Sequence, residues 1–139
     1  MNQSIFRITE SPEILENIFI DLSHSALISA RKRSRVCFHE SDSSDLHVMI
    51  VCLHPDSVID VHSHNRSEFY YLLRGELEVL HGSDASSLSR FIMSPLTSSS
   101  ISSSCFYMPA FCFHTMRALN TFAFYLEVVN GPFKPCDYA

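Results

Sequence analysis

His62 and His64 stand two residues apart, and Glu68 follows after a three-residue spacer, Asn65-Arg66-Ser67. Residues two apart on a strand face the same side, so both imidazoles can meet one point while Val61 and Ser63 face away. Glu68 then opens the next strand and can return its carboxylate to that point. Two neutral imidazoles and a carboxylate form a facial ligand set for a divalent cation. His114, five residues after Pro109, supplies a fourth candidate from the second half of the chain. Three His and one Glu leave two cis positions of an octahedron open, which suits iron(II) for dioxygen chemistry and zinc or manganese for isomerisation or hydrolysis. An H-x-H pair alone also occurs on ordinary exposed strands. The joint spacing of His62, His64, Glu68, Gly75, Pro109 and His114 favours a metal site over incidental histidines.

Other residues are placed to join such a site, each with a plainer alternative. Tyr70 shares the face of Glu68 and offers either a phenol near the cation or a packed ring with a bonded hydroxyl. His47 and His39 precede the first pair and are either substrate contacts or locally satisfied histidines. Cys112 shares the face of His114 and is either a soft ligand or a small buried hydrophobe. Arg35 and Arg117 could receive an anionic substrate, because a guanidinium pairs bidentately with carboxylate or phosphate. Phe69, Tyr71, Phe106 and Phe124 suggest a charge-poor pocket wall.

The elements that must position these residues are mostly strands. His47 to Leu53 is a nearly continuous apolar run bounded by the turn signal His54-Pro55-Asp56-Ser57. Val58 to His62, Glu68 to Leu73 and Glu76 to Leu80 read as further strands, with a hairpin at Arg74-Gly75. Ser89 to Met93 reads as another strand, Thr97 to Ser104 as a polar loop, and Cys105 to Met108, His114 to Arg117 and Thr121 to Val129 as the remainder. Before them, Ser11-Pro12-Glu13 is a helix start with Ile14, Leu15 and Ile18 at helical spacing, and a second helix begins near Ser23. The run Arg31-Lys32-Arg33-Ser34-Arg35 then reads as a solvated helix end or, alternatively, an anion-binding patch. This gives a helical or edge segment over residues 1–35, a barrel over 36–133 and a tail over 134–139.

The composition fits one all-β domain: 139 residues, 46% hydrophobic and 18% charged, with 11 Phe and 5 Tyr against 3 Gly. The net charge of −5 argues against a nucleic-acid surface. The N-terminus lacks a secretory pattern and no apolar run approaches a membrane span, so a cytoplasmic protein without membrane contact is expected. Five cysteines, Cys37, Cys52, Cys105, Cys112 and Cys136, are odd in number and lack C-x-x-C spacing, pointing to free thiols.

The stretch His62 to Gly75 resembles the first cupin motif: H-x-H, three residues, Glu, six residues, Gly. Pro109 to Asn120 is similar to the second, with His114 and Asn120 in place. Asp56 and Phe111 stand where the motifs usually have Gly, both at turns. More narrowly, Arg31 to Arg35, His39, Leu46 to Ile50 and Leu126 to Phe133 resemble the WbuC family of cupin-fold metalloproteins, over about residues 21 to 133. The resemblance implies a jelly-roll barrel, a double-stranded β-helix, with one divalent cation (Zn, Fe(II) or Mn) held by His62, His64, Glu68 and His114. It also implies a homodimer and a setting in bacterial O-antigen or other surface lipopolysaccharide biosynthesis.

Two functions follow. One is a metal-dependent enzyme, of dioxygenase or isomerase type, acting on a small polar or sugar-related molecule; the other is a non-catalytic module that binds such a metabolite. A barrel without metal requires that the four side chains fail to converge. The segment of Ile5, Phe6 and Ile8 could extend a neighbour's sheet edge.

Overall fold

The computed structural model describes residues 4–7, 15–95, 103–133 and 137–138. Nine strands and one helix follow in the order β1 (Ser4–Arg7), α1 (Leu15–Ile28), β2 (Arg33–Cys37), β3 (Leu46–Leu53), β4 (His62–Ser63), β5 (Glu68–Asp84), β6 (Ser87–Met93), β7 (Cys105–Met108), β8 (Phe113–Asn130) and β9 (Asp137–Tyr138). The fold is therefore the expected all-β architecture with a helical N-terminal portion. The sheet runs β1-β2-β3-β8-β4-β9, and β5 joins it through β8 while also pairing β6 and β7.

Two long strands, β5 and β8, carry the barrel. They stay paired from Glu68↔Val129 to Gly82↔Phe113, with register shifts around Leu72, Arg74 and Glu76. The hairpin expected at Arg74-Gly75 is instead a bulge inside one continuous strand, because β8 runs alongside both halves. Gly75 has φ 83, and a Cβ there would collide with the Phe122 carbonyl oxygen. On the facing strand Asn120 has φ 64, a conformation that Asn tolerates better than most side chains. The two strands thus turn the corner together.

The irregularity reverses which residues face inward, as an inserted residue must when side chains alternate. Before it on β5, Glu68, Tyr70 and Leu72 are buried; after it, Leu77 and Val79 are. On β8, His114, Met116 and Ala118 face in before Asn120, and Ala123, Tyr125 and Val129 after it. These residues, with Met49, Val51 and Leu53 of β3, form the interior core.

A second core lies on the outer face. Ile18, Phe19, Leu22 and Ala26 make one stripe of α1 and pack on Val36, Ile50, Cys52 and Phe124. Burying each large apolar side chain stabilises the packing by about 1.5–3 kcal/mol. One helix occupies the span where two were expected: Ser23 lies inside it and donates its hydroxyl to the Phe19 carbonyl at 2.7 Å instead of capping a new helix. The helix start at Ser11 to Ile14 lies outside the described residues, as do most of the Thr97 to Ser104 loop, Ile8 and Cys136. β1 pairs in parallel with β2 of its own chain, Ile5 opposite Arg35 and Phe6 opposite Val36.

The basic run divides between two structures. Lys32 takes φ 54 and its Nζ donates to the Leu27 carbonyl at 2.6 Å, closing the helix end. Arg33 and Arg35 already belong to β2, a strand that straddles the boundary expected at residue 35. The four described cysteines are free thiols, and burial pushes that of Cys52 up to about 12.

Candidate metal centre

The strand expected over Val58 to His62 is instead the two-residue β4, His62–Ser63, with His64 just beyond it, and His62 pairs directly with His114 of β8. The ring centroids lie 4.4 Å apart for His62 and His114, 4.9 Å for His62 and His64, and 5.4 Å for His64 and His114. One nitrogen from each of the three rings lies within 4.8 Å of the others, an arrangement that could hold a metal ion.

Backbone carbonyls fix two of the rings. His62 Nδ1 donates to the Asp60 carbonyl at 2.7 Å and His114 Nδ1 donates to the Cys112 carbonyl at 3.0 Å. With the proton on Nδ1, each Nε2 keeps its lone pair for a cation, the usual device for orienting a ligating histidine. His64 lacks such a partner: its Nδ1 is buried and unbonded, while its Nε2 lies 3.1 Å from Glu68 Oε1.

Glu68 is buried against two of the three histidines, with Oε2 3.6 Å from His114 Nε2. The Tyr70 hydroxyl donates to Glu68 Oε2 and lies 3.5 Å from His114 Nε2. Tyr70 is completely buried, so both alternatives for it coexist: a packed ring and a phenol at the site.

The electrostatics keep the histidines neutral. Burial lowers all three, taking His64 to about 4, where the neighbouring His62, His114 and Arg66 add to the effect. Burial raises the Glu68 carboxyl, opposed by its bond from Tyr70 and by His62 and Arg66. A buried carboxylate among neutral imidazoles, with an orphaned ring nitrogen beside it, matches what a divalent cation requires of its ligands. The donor set fits the group.

The cluster opens onto a cavity of about 450 Å³. Its wall is not the charge-poor surface expected of Phe69, Tyr71, Phe106 and Phe124. Phe69 and Tyr71 lie out of phase with the inward Glu68 and Tyr70; Phe124 packs against α1, and Phe106 against His81 and Phe91. Arg31, Arg33, Arg35 and Arg66 line the cavity instead, together with Asp42, Asp60 and Glu127. Sequence reasoning passed over Arg66 and Glu127. Their signals were a charged residue in the spacer between His64 and Glu68, and the lone carboxylate in an otherwise apolar strand. Burial and Glu68 raise Glu127 to about 8, against the opposing Arg35 and Arg66.

The remaining candidates separate cleanly. His47 is buried on the cavity wall and stacks on His39 at 4.0 Å, nearly parallel. Cys112 is no neighbour of the imidazole nitrogens in the way a ligand would be: its thiol approaches the carbonyls of Gly82 and Phe113 and it packs on the core. Arg117 does not line the cavity. It pairs with Glu78 at 3.1 Å, opposite it on β5, because odd positions before Asn120 face outward.

The two positions that depart from the cupin motifs resolve differently. Asp56 sits in a turn with its N–H bonded to His54 Nδ1, and only Phe111 adopts a left-handed backbone, φ 63.

Residues 14–92 match the family model described as a domain of unknown function, DUF6016. The chain belongs to this family. No curated protein matches the sequence. Solved structures give this DUF6016 chain the cupin fold. A cupin-2 domain protein of Rhodospirillum rubrum is 14% identical, with TM-score 0.61 over 78% of this chain and 66% of that one. Protein SO0799 of Shewanella oneidensis is 12% identical, with TM-score 0.66 over 94% and 85%. Oxalate decarboxylase of Bacillus subtilis is 20% identical, with TM-score 0.57 over 70% of this chain, which spans only 25% of that enzyme's length. At these identities the likeness concerns the fold. No helix among the described residues is long and apolar enough to cross a membrane.

Proposed function

We propose that this DUF6016 protein is a cupin-fold metalloprotein that binds one divalent cation through His62, His64, His114 and Glu68 and accepts a small polar or sugar-related metabolite in the adjoining cavity. The observation that carries this is the convergence of three imidazole nitrogens within 4.8 Å, with the Nδ1 atoms of His62 and His114 turned to backbone carbonyls. When bound, the cation would supply Lewis acidity or, if iron(II), a centre for dioxygen chemistry.

The chain's own residues define the rest of the reading. Tyr70 holds Glu68, and its phenol is a proton-bearing group beside the cluster. A positioned proton-transfer group favours an enzyme, of isomerase or dioxygenase type, over a module that only binds its metabolite. Arg35 and His47, on the cavity wall, are the substrate contacts of this reading. The barrel over residues 36–133 is its working unit, with α1 packed on its outer face and Arg33 and Arg35 of β2 reaching into the cavity.

The resemblance to the WbuC family supports a cytoplasmic role in bacterial O-antigen or related surface polysaccharide biosynthesis. It also supports a homodimer, for which β1 provides the outermost strand of the sheet.

Titration of chelator-stripped protein with Mn(II), Zn(II) and anaerobic Fe(II) tests the proposal. It expects one equivalent bound, and its loss in His114→Ala. No uptake of any of the three would end the metal reading. Turnover of sugar-related substrates by the loaded protein, absent from Tyr70→Phe, would favour the enzyme over the binding module.

A further inference from the structure

Most described arginines of this fold find oxygen acceptors, whereas Arg35 finds only sulfur. Arg74 pairs with Glu16 at 2.8 Å, Arg90 and Arg117 both pair with Glu78, and Arg66 Nη1 donates to the carbonyls of Asn130 and Pro132 at 2.7 Å each. Arg35 has only the Met49 thioether sulfur, 3.9 Å from Nη1, and its Nε is buried without an acceptor. It makes no ion pair among the described residues. A thioether is a weak acceptor, and a partly buried guanidinium carries five donors that must lose water without replacement.

The direction of Arg35 follows from strand parity. Ser34 and Val36 of β2 are buried towards α1, where the Ser34 hydroxyl donates to the Leu22 carbonyl at 2.6 Å. Arg33 and Arg35 therefore occupy the inward face, and both line the cavity that also contains His62, His64 and His114. Arg35 stands opposite Val51, and Glu127 stands opposite Met49, two residues along β3; the two make no ion pair among the described residues.

We propose that Arg35, flanked by Arg33, is an anion subsite that receives the carboxylate or phosphate of a small metabolite whose other end reaches the histidine cluster. This rests on the reading of the cavity as a ligand site beside a bound cation, and it narrows the substrate to molecules that carry an anionic group. Carboxylate and phosphate share the oxygen geometry that a guanidinium fork recognises. Arg74, Arg90 and Arg117, which do not line the cavity, are each given a carboxylate by the fold, and Arg35 is not.

Calorimetric titration of the Mn(II)-loaded protein with inorganic phosphate, glycolate and neutral ethylene glycol tests the assignment. At least one anion should bind saturably, ethylene glycol should not, and Arg35→Gln should weaken the anion about ten-fold or more. Arg117→Gln, outside the cavity, should leave the affinity unchanged. Arg35→Gln should retain one equivalent of Mn(II) and melt no lower than the wild type, since only the weak Met49 sulfur contact is lost; a structural role predicts a lower melt. If that variant does not fold, Arg35→Lys decides, because it keeps the charge and loses the fork, and it should bind the anion more weakly than the wild type.

Equal binding by wild type and Arg35 variants overturns the proposal, as does the absence of saturable binding of either anion. Which anion binds identifies the group. Failure of the metal reading is separate: it appears as wild-type protein that takes up no Mn(II).

Discussion

The carbonyl of His64 accepts a hydrogen bond from the Phe111 N–H at 2.6 Å. It ties the loop that carries the H-x-H pair to the turn that launches His114, and so reinforces the direct β4–β8 pairing of His62 with His114. Phe111 makes it from a left-handed conformation, φ 63, with its ring 67% exposed. Phe111→Gly should therefore keep the site and change stability by no more than about 1 kcal/mol, as relief of strain offsets the added chain entropy. Phe111→Pro removes the donor and forbids the positive φ. It should lower metal affinity at least ten-fold in competition with a chelator, and unchanged affinity would show that the contact does not position the cluster.

Tyr70 orients Glu68 by donating to its Oε2. Tyr70→Phe leaves the packing nearly intact and frees the carboxylate to rotate. Loss of such a supporting bond typically costs 10–100-fold in metal affinity, whereas the fold should lose only about 1 kcal/mol. Urea unfolding of metal-free protein beside metal titration separates the two effects.

Two groups give the metal-free protein opposite responses to pH. His64 is held down to about 4 from 6.5, chiefly by burial, so the folded state binds fewer protons than the unfolded chain between those values. Its stabilising contribution is present above 6.5 and is lost as pH falls through about 4. Glu127 is raised from 4.5 to about 8, so its contribution is present below 4.5 and is lost as pH rises through 8. Denaturation across pH 4 to 9 should show stability falling at both ends. Glu127→Gln should flatten the alkaline limb, gaining about 1–2 kcal/mol above pH 8 once partial exposure to solvent is allowed for, and leave the acid limb in place.

Gly75 fixes the corner shared by β5 and β8. Gly75→Ala meets both a φ of 83 and the Phe122 carbonyl, and should destabilise the barrel by about 2 kcal/mol or more. A melting temperature equal to the wild type would mean that the corner tolerates a side chain.

The cluster was legible because its logic is local: two-residue alternation sets His62 beside His64, and a short turn returns Glu68. The long strands were not. Arg74-Gly75 carries the same chemistry whether it closes a hairpin or forms a bulge, and the choice is made by β8, some fifty residues downstream, with Asn120 opposite. Plain two-residue alternation, counted from Glu68 and from His114, is what turns the aromatics at 69 and 71 away from the cavity and sets Arg117 against Glu78. Arg33 and Arg35 look like the solvated end of a helix in sequence, yet the left-handed turn at Lys32 ends the helix first and hands both arginines to a strand. Ser23 resembles a helix cap but spends its hydroxyl on Phe19. At the corner a distant partner overrides the local signal; at Lys32 and Ser23 one local bond prevails over another.

The most direct test is elemental analysis of protein purified without added metal, wild type beside His64→Ala. One divalent ion per chain in the wild type, reduced to a small fraction in the folded variant, is the expected result. A wild type that holds no divalent metal and takes up none, or a variant that retains a full equivalent, would contradict coordination by this cluster.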